Sequence, residues 1–246
     1  MSLPVHLVPS LDGVGAGSTV SVEGDEAHHA VAVRRLRVGE SVVLTDGRGS
    51  TAVGEVASTG KRVFEVTVAS VSSAPAPEPA VTVVQAIPKG DRGELAVEVL
   101  TEVGVAQIVP WSASRCVAVW KGDRAAKSLS RWRSTAREAA KQSRRPWFPE
   151  VTEVASTADV VTRVSDADLA VVLHEEATEP LATLTVPATG RVVVVVGPEG
   201  GLTDDEVAAL IEAGAHAVRL GSEVLRTSTA GVAAVSALLA RTARWG

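Results

Sequence analysis

Glu199 and Arg226 each lie in a glycine-bearing turn that follows a run of apolar residues, so a carboxylate and a guanidinium stand beside backbone that can be aimed at a ligand. The first turn is Gly197-Pro198-Glu199-Gly200-Gly201, entered from the valines 192–196. Its glycines permit close backbone approach, and Pro198 fixes one φ and carries no donor. The second segment runs Leu220-Gly221-Ser222-Glu223-Val224-Leu225-Arg226-Thr227-Ser228-Thr229-Ala230. A single glycine cluster can be no more than a tight strand-to-helix connection. Two such turns, one holding Glu199 and the other Arg226, describe a pocket better than two unrelated loops.

The elements that position these turns follow from hydrophobic pattern. Five successive valines without polar alternation read as a strand covered on both faces, as in a parallel sheet, where ligands bind at the C-terminal strand ends. Thr203-Asp204-Asp205-Glu206 has capping-box spacing, which starts a helix that ends at Gly214. Residues 217–220 read as a short strand and 227–241 as an alanine-rich helix. Upstream, strands 81–86, 107–109 and 169–173 alternate with helices 94–103 and 128–144, which predicts a mostly parallel sheet of the α/β class. The stretch Ser72-Ser73-Ala74-Pro75-Ala76-Pro77-Glu78-Pro79 reads as an extended linker, dividing the chain into 1–72, a linker 73–80, and 81–246. The first part reads as a small β-barrel of strands 20–22, 41–45, 51–56 and 64–68, with a hairpin turn at Asp46-Gly47-Arg48-Gly49 and a helix over 26–36.

Composition narrows the class. A hydrophobic share of 46% in 246 residues is ample for a packed core, and a single cysteine, Cys116, excludes an internal disulfide or a cysteine zinc cluster. The apolar runs are too short to span a bilayer and no signal peptide is evident, so a cytoplasmic protein without membrane residence is expected. Net charge is −5, yet the window 115–145 is strongly basic: Lys121, Arg124, Lys127, Arg131, Arg133, Arg137, Lys141, Arg144 and Arg145 face only Asp123 and Glu138. Such a run suits a phosphate backbone and equally a solvated helix face. Arg34, Arg35 and Arg37 carry the same two readings.

Beyond these readings, the chain resembles the SPOUT methyltransferases, and within them the RsmE type, which methylates N3 of a uridine in 16S ribosomal RNA. The resemblance rests on His28-His29 with Arg34-Arg35-Leu36-Arg37 and Asp46-Gly47, then on Lys89-Gly90-Asp91, Glu102-Val103-Gly104, Arg131-Trp132 and residues 138–145 with Pro149. The glycine turn 197–201 and Leu225-Arg226-Thr227 with Thr229-Ala230 complete it. It implies a PUA-like β-barrel joined to an α/β domain whose C-terminal segment passes through a trefoil knot. It further implies a homodimer, S-adenosylmethionine as cofactor, and the small ribosomal subunit as the setting of the RNA. By motif match the cofactor site takes Leu173, His174, Gly197, Pro198, Glu199, Gly200, Gly201, Leu220, Gly221, Leu225 and Thr229. The chain departs from the family pattern at Val103, where a leucine is usual, and at Ser228, where a glutamate is usual.

Methylating N3 of uracil requires loss of its proton, so a base, or a cation that stabilises the uracilate, is expected beside the methyl group. Arg226 is the first candidate, as a donor to a uracil carbonyl oxygen; Glu199 is the second, as proton acceptor. Their plain alternatives are an ion pair and a helix N-terminal charge. Lys89, Arg144 and Arg145, with Arg34, Arg35 and Arg37, are candidates for RNA phosphate contacts. Trp147 is a candidate for base stacking, and Trp132 reads as core. No metal is expected. The competing class is a non-catalytic RNA-binding ribosome-assembly protein on the same fold. A dinucleotide-binding oxidoreductase is disfavoured because no Gly-x-Gly-x-x-Gly follows an early strand.

Overall fold

The structure is a computed structural model, and it describes residues 3–245. The chain forms two units that are not contiguous in sequence: Met1–Ala76 with Lys141–Phe148, and Pro77–Ala140 with Pro149–Gly246.

The first unit is a five-stranded sheet in the order β1-β3-β4-β5-β2, built from β1 (Val5–Leu7), β2 (Thr19–Glu23), β3 (Ser41–Thr45), β4 (Ser50–Thr59) and β5 (Val63–Ser73). Its core joins Val22, Val42, Leu44, Ala52, Val56, Phe64 and Val66, the inward residues of alternating strands. The proline-rich stretch is shorter than its composition suggests, because Ser72 and Ser73 pair with Thr51 and Ser50 and so extend β5. The helix expected over 26–36 is α1 (Gly24–His28), which widens into a π-helical turn at His29–Val33. There Arg34 N–H reaches back to the His29 carbonyl and Leu36 N–H to that of Ala30. Arg35 adopts φ 58° and turns the chain out, while Leu36 is buried. Arg34 and Arg35 therefore follow the helix and are exposed in a loop.

A charged cluster ties the distant segment Lys141–Phe148 into this unit. The Lys141 ammonium donates to both Glu26 carboxylate oxygens at 3.0 Å, and His6 Nδ1 lies 3.2 Å from Oε1. Trp147 completes the attachment. Its indole N–H donates to the Ala74 carbonyl at 2.8 Å, and its ring covers Gly49 so closely that a Cβ there would sit 2.7 Å away.

The second unit is a seven-stranded parallel sheet in the order β10-β12-β9-β11-β6-β7-β8. Its strands are β6 (Ala80–Ala86), β7 (Gln107–Trp111), β8 (Glu150–Val151), β9 (Leu169–Leu173), β10 (Glu179–Pro180), β11 (Arg191–Val196) and β12 (His216–Arg219). Period-two alternation sends Val192, Val194 and Val196 into one core and Val193 and Val195 into the other, so the valine run is buried on both faces as expected. The first core takes residues of α2 (Arg92–Val103), α3 (Asp123–Gln142) and α6 (Thr227–Leu239); the second takes those of α4 (Thr157–Ser165) and α5 (Asp204–Glu212). Trp132 is buried in the first, as read from the sequence.

Helix α6 packs on α2, β6 and β11. Its small residues permit this: a Cβ at Gly231 would already lie 3.2 Å from Leu100 and 3.3 Å from Val196. Beyond its end, Arg244 donates to the Gly104 carbonyl at 2.8 Å and the Pro79 carbonyl at 3.0 Å, and Arg241 donates to the carbonyls of Leu181 and Leu184. Two guanidiniums thus secure the residues after α6 to the segments that precede β6, follow α2 and follow β10.

The cluster at Glu26 makes the stability of the first unit sensitive to acid. Burial alone would raise the Glu26 pKa, but hydrogen bonds and charge from His6 and Lys141 outweigh it and hold the group down at about 2, against an ordinary 4.5. A carboxyl with a lower pKa in the folded state stabilises fully above its unfolded value, and that contribution is lost as pH falls through its folded value. The contribution is bounded at about 3 kcal/mol. Stability from urea titrations should therefore decline between about pH 4.5 and pH 2; Glu26→Gln should flatten that decline and lower stability at neutral pH by roughly 1–3 kcal/mol. A variant with an unchanged acid profile would show that the cluster contributes nothing.

Candidate active site

Three parallel strands, β9, β11 and β12, end beside one another, and the loops that leave them enclose a cavity of about 610 Å³. From β9 come Leu173 and His174, the latter held in place by its N–H donating to the Val218 carbonyl at 3.0 Å. From β11 comes the whole turn Gly197 to Gly201, closed by Gly201 N–H donating to the Pro198 carbonyl at 3.0 Å with Gly201 at φ 73°. A left-handed residue at that point is why glycine stands there. From β12 come Leu220 to Arg226, leading into Thr227 of α6. The helix begun by Thr203 has the expected reciprocal box. Thr203 Oγ1 accepts from Glu206 N–H at 3.2 Å, and Glu206 Oε2 accepts from Thr203 N–H at 3.0 Å.

Of the residues assigned from sequence to the cofactor site, Leu173, His174, Gly197, Pro198, Glu199, Gly200, Gly201, Leu220, Gly221 and Leu225 all line this cavity. Thr229 is not among the lining residues; its hydroxyl donates instead to the Arg226 carbonyl at 3.2 Å, one turn along the helix face. A Cβ at Gly221 would make only ordinary contact with Glu223 Oε2 at 3.6 Å, whereas one at Gly200 would meet the Arg115 carbonyl at 2.9 Å. The first turn therefore uses glycine twice, at Gly201 for its left-handed conformation and at Gly200 for close packing.

The two candidate catalytic side chains differ in how they are held. Arg226 is the N-cap of α6, its carbonyl accepting from Thr229 and Ala230 N–H at 2.8 and 2.9 Å. Among the described residues its exposed guanidinium has no hydrogen-bond or ion-pair partner, so the ion-pair alternative is not observed. Glu199 lies before α5 and outside it; its Oε1 accepts from Lys89 N–H at 3.2 Å, which ties the glycine turn to the loop after β6. The Lys89 side chain is exposed in that loop.

The remaining basic candidates fall in the first unit: Arg34, Arg35 and Arg37 in the exposed loop after the π-helical turn, Arg144 exposed at φ 55°, and Arg145 half-buried. Trp147, a candidate for base stacking, is instead docked on Gly49 and Ala74. Arg92, Arg115, Glu175, Glu176, Asp204 and Glu223 also line the cavity and were not singled out by sequence reasoning. Arg115 opens the basic window and Arg92 follows Lys89-Gly90-Asp91, but no local pattern distinguishes either from a solvated charge. Among the described residues no group of three His, Cys, Asp or Glu side chains could hold a metal ion, and no helix is long and apolar enough to cross a membrane.

Comparison with known proteins bears directly on this geometry. Residues 75–239 match the family described as RNA methyltransferase domain, and residues 22–69 match the RNA methyltransferase PUA domain. The chain is 48% identical over 233 residues to the ribosomal RNA small subunit methyltransferase E of Mycobacterium bovis, covering 93% of this chain and 89% of that protein. It is 33% identical over 228 residues to its Bacillus subtilis counterpart, covering 89% of each. Among solved structures, the Neisseria gonorrhoeae enzyme of that name, bound to S-adenosyl methionine, superposes with a TM-score of 0.85 at 29% identity over 97% of both chains. A Legionella pneumophila protein in complex with the cofactor SAM superposes with a TM-score of 0.89 at 27% identity, covering 98% of this chain and 99% of that one. With both domains matched in order and nearly the whole chain aligned, this protein belongs to the ribosomal RNA small subunit methyltransferase E family, with the α/β-knot domain and PUA-like unit that the resemblance implied.

Proposed function

We propose that this chain uses S-adenosylmethionine to methylate N3 of a uridine in 16S ribosomal RNA of the small subunit, acting as a homodimer. The observation that carries the reading is the convergence of both glycine-bearing turns on one cavity lined by an unpartnered Arg226. The residues present fit the cofactor. A cavity of about 610 Å³ lies within the roughly 300–1,000 Å³ of small-molecule sites. Leu173, Val196, Leu202, Leu220 and Leu225 offer apolar contact for an adenine ring, while Arg92, Arg115 and the turn amides suit a carboxylate. Glu175, Glu176 and Glu223 suit a cationic ammonium and sulfonium.

When bound, S-adenosylmethionine supplies a methyl carbon on a sulfonium, a leaving group that needs no further activation. The protein's task is then alignment, exclusion of water and stabilisation of the uracil anion. Arg226 serves the last, because its backbone is fixed at the start of α6 while its guanidinium is free to donate to the carbonyl oxygens that flank N3. Glu199 keeps one carboxylate oxygen that Lys89 N–H does not occupy, which is the atom to receive the N3 proton. Phosphates of the RNA are assigned to Arg34, Arg35, Arg37, Lys89, Arg144 and Arg145, whose charge favours association through counterion release. The non-catalytic alternative draws on Ser228, buried in the first turn of α6 at the position where this chain departs from the pattern it resembles, and on the basic helix.

Calorimetric titration with S-adenosylmethionine separates the two readings. The wild type should bind, and Arg226→Ala should retain that affinity within about threefold while methyl transfer to unmodified small-subunit RNA falls roughly 100- to 1,000-fold. No binding by the wild type would favour the non-catalytic protein, and loss of binding in the variant would move Arg226 from the uracil to the cofactor. The logarithm of the RNA binding constant should decline linearly with the logarithm of salt concentration. Replacing one of Arg34, Arg37 or Arg144 by alanine should lower that slope by about 0.7–0.9 for each phosphate that the side chain had neutralised; a slope untouched by all three would remove them from the RNA surface.

A further inference from the structure

The segment after β7, Ser112 to Cys116, is attached at three points to the glycine turn after β11 and to the residues that lead from it into α5. Ser114 N–H donates to Glu206 Oε1 at 2.8 Å. Arg115 Nη1 donates to the Leu202 carbonyl at 3.0 Å. The Arg115 backbone lies so near Gly200 that a Cβ there would come within 2.9 Å of its carbonyl oxygen. Glu206 stands at the junction. It is 4% exposed and does not line the cavity, yet its two oxygens are divided between different loops: Oε1 takes Ser114 N–H, and Oε2 takes the N–H and hydroxyl of Thr203. A helix cap alone would use only the second set.

From this geometry we infer that Glu206 is a positioning residue. It latches the Arg115 loop onto the glycine turn and thereby fixes the wall of the cavity against which S-adenosylmethionine binds. The inference rests on the methyltransferase reading above. The carboxylate is the group chemistry requires here, because both of its oxygens face N–H donors and only an ionised carboxyl accepts on each side. Burial would raise its pKa, but hydrogen bonds from Thr203 and Ser114 outweigh that and lower it, so the latch is charged at neutral pH. A glutamine has one accepting oxygen, and its amide nitrogen would confront the other N–H donor.

The test compares Glu206→Ala, Glu206→Gln, Thr203→Ala and Arg115→Ala by calorimetric affinity for S-adenosylmethionine, by amide hydrogen exchange at Ser114 and by melting temperature. Both Glu206 variants should weaken cofactor binding roughly tenfold or more and should speed Ser114 exchange, whereas Thr203→Ala, which removes only the cap, should change affinity less than about threefold. Arg115→Ala, at an exposed side chain that does not threaten folding, should weaken binding on its own and add little when combined with Glu206→Gln. Glu206 variants that lose melting temperature as Thr203→Ala does, with affinity and Ser114 exchange unchanged, would overturn the inference and leave a cap. Additive effects of Arg115→Ala and Glu206→Gln would also overturn it. If the wild type binds no S-adenosylmethionine, the functional reading falls and this inference with it.

Discussion

The return of α6 from the margin of the sheet to its centre governs the rest of the second unit. β12 lies beyond β9, two strands removed from β6, yet the helix that follows it packs on β6, β11 and α2. The connecting residues 220–226 must therefore run back past the C-terminal ends of β9 and β11. Parallel strands all end on the same side, so that path crosses the loops leaving the neighbouring strands, and a cavity forms between them. The constraint also explains the composition of α6. A helix that must settle on a sheet and another helix together has room for alanine, glycine and serine, and Gly231 has already used what room there is. The return path of the chain and the ligand site are thus one structural fact seen from two directions.

A second regularity is the contrast between tied and untied charges. Glu206, Glu26 and Arg244 are wholly or partly buried, and each has hydrogen-bond partners that hold one segment to another far along the chain. Burying a charge is tolerable only when its lone pairs or protons are met, and here the partners are mostly backbone groups or opposite charges. Arg226 shows the opposite arrangement: its backbone is fixed and its guanidinium unmatched. An exposed cation beside a cavity costs little to leave unmatched in water, and it gains strength once a ligand excludes that water.

Patterns local in sequence were legible, and those depending on distant partners were not. The valine run announced a doubly covered strand because alternation in a strand has a period of two, and no polar residue interrupts it. The Thr203–Glu206 box announced a helix start, because its donors and acceptors lie within one turn. By contrast, nothing near Glu206 reveals that its second oxygen serves Ser114, 92 positions away. The attachment of Lys141–Phe148 to the first unit has the same character: Lys141 reads as one more cation on a basic helix, and its partner Glu26 lies 115 positions upstream. Trp147 suits stacking on sequence alone, and only the fold places its indole N–H on Ala74. The helix over 26–36 ends early for a different reason, since a π-helical turn has no distinctive residue pattern and Arg35 takes a left-handed conformation normally left to glycine.

Ser228 bears on how charge is arranged around the cavity. The position is 4% exposed in the first turn of α6, among the small residues that let the helix approach the sheet. A carboxylate there would be a buried anion needing a donor, and the serine needs far less. The carboxylates that remain at the cavity, Glu175, Glu176, Glu199, Asp204 and Glu223, all belong to loops or to the first turn of α5, where water or backbone amides can satisfy them. Negative charge in this chain is therefore carried by the loops at the rim of the site rather than by its helical floor. Arg226 is thus left at the cavity without a fixed carboxylate competing for its guanidinium among the described residues.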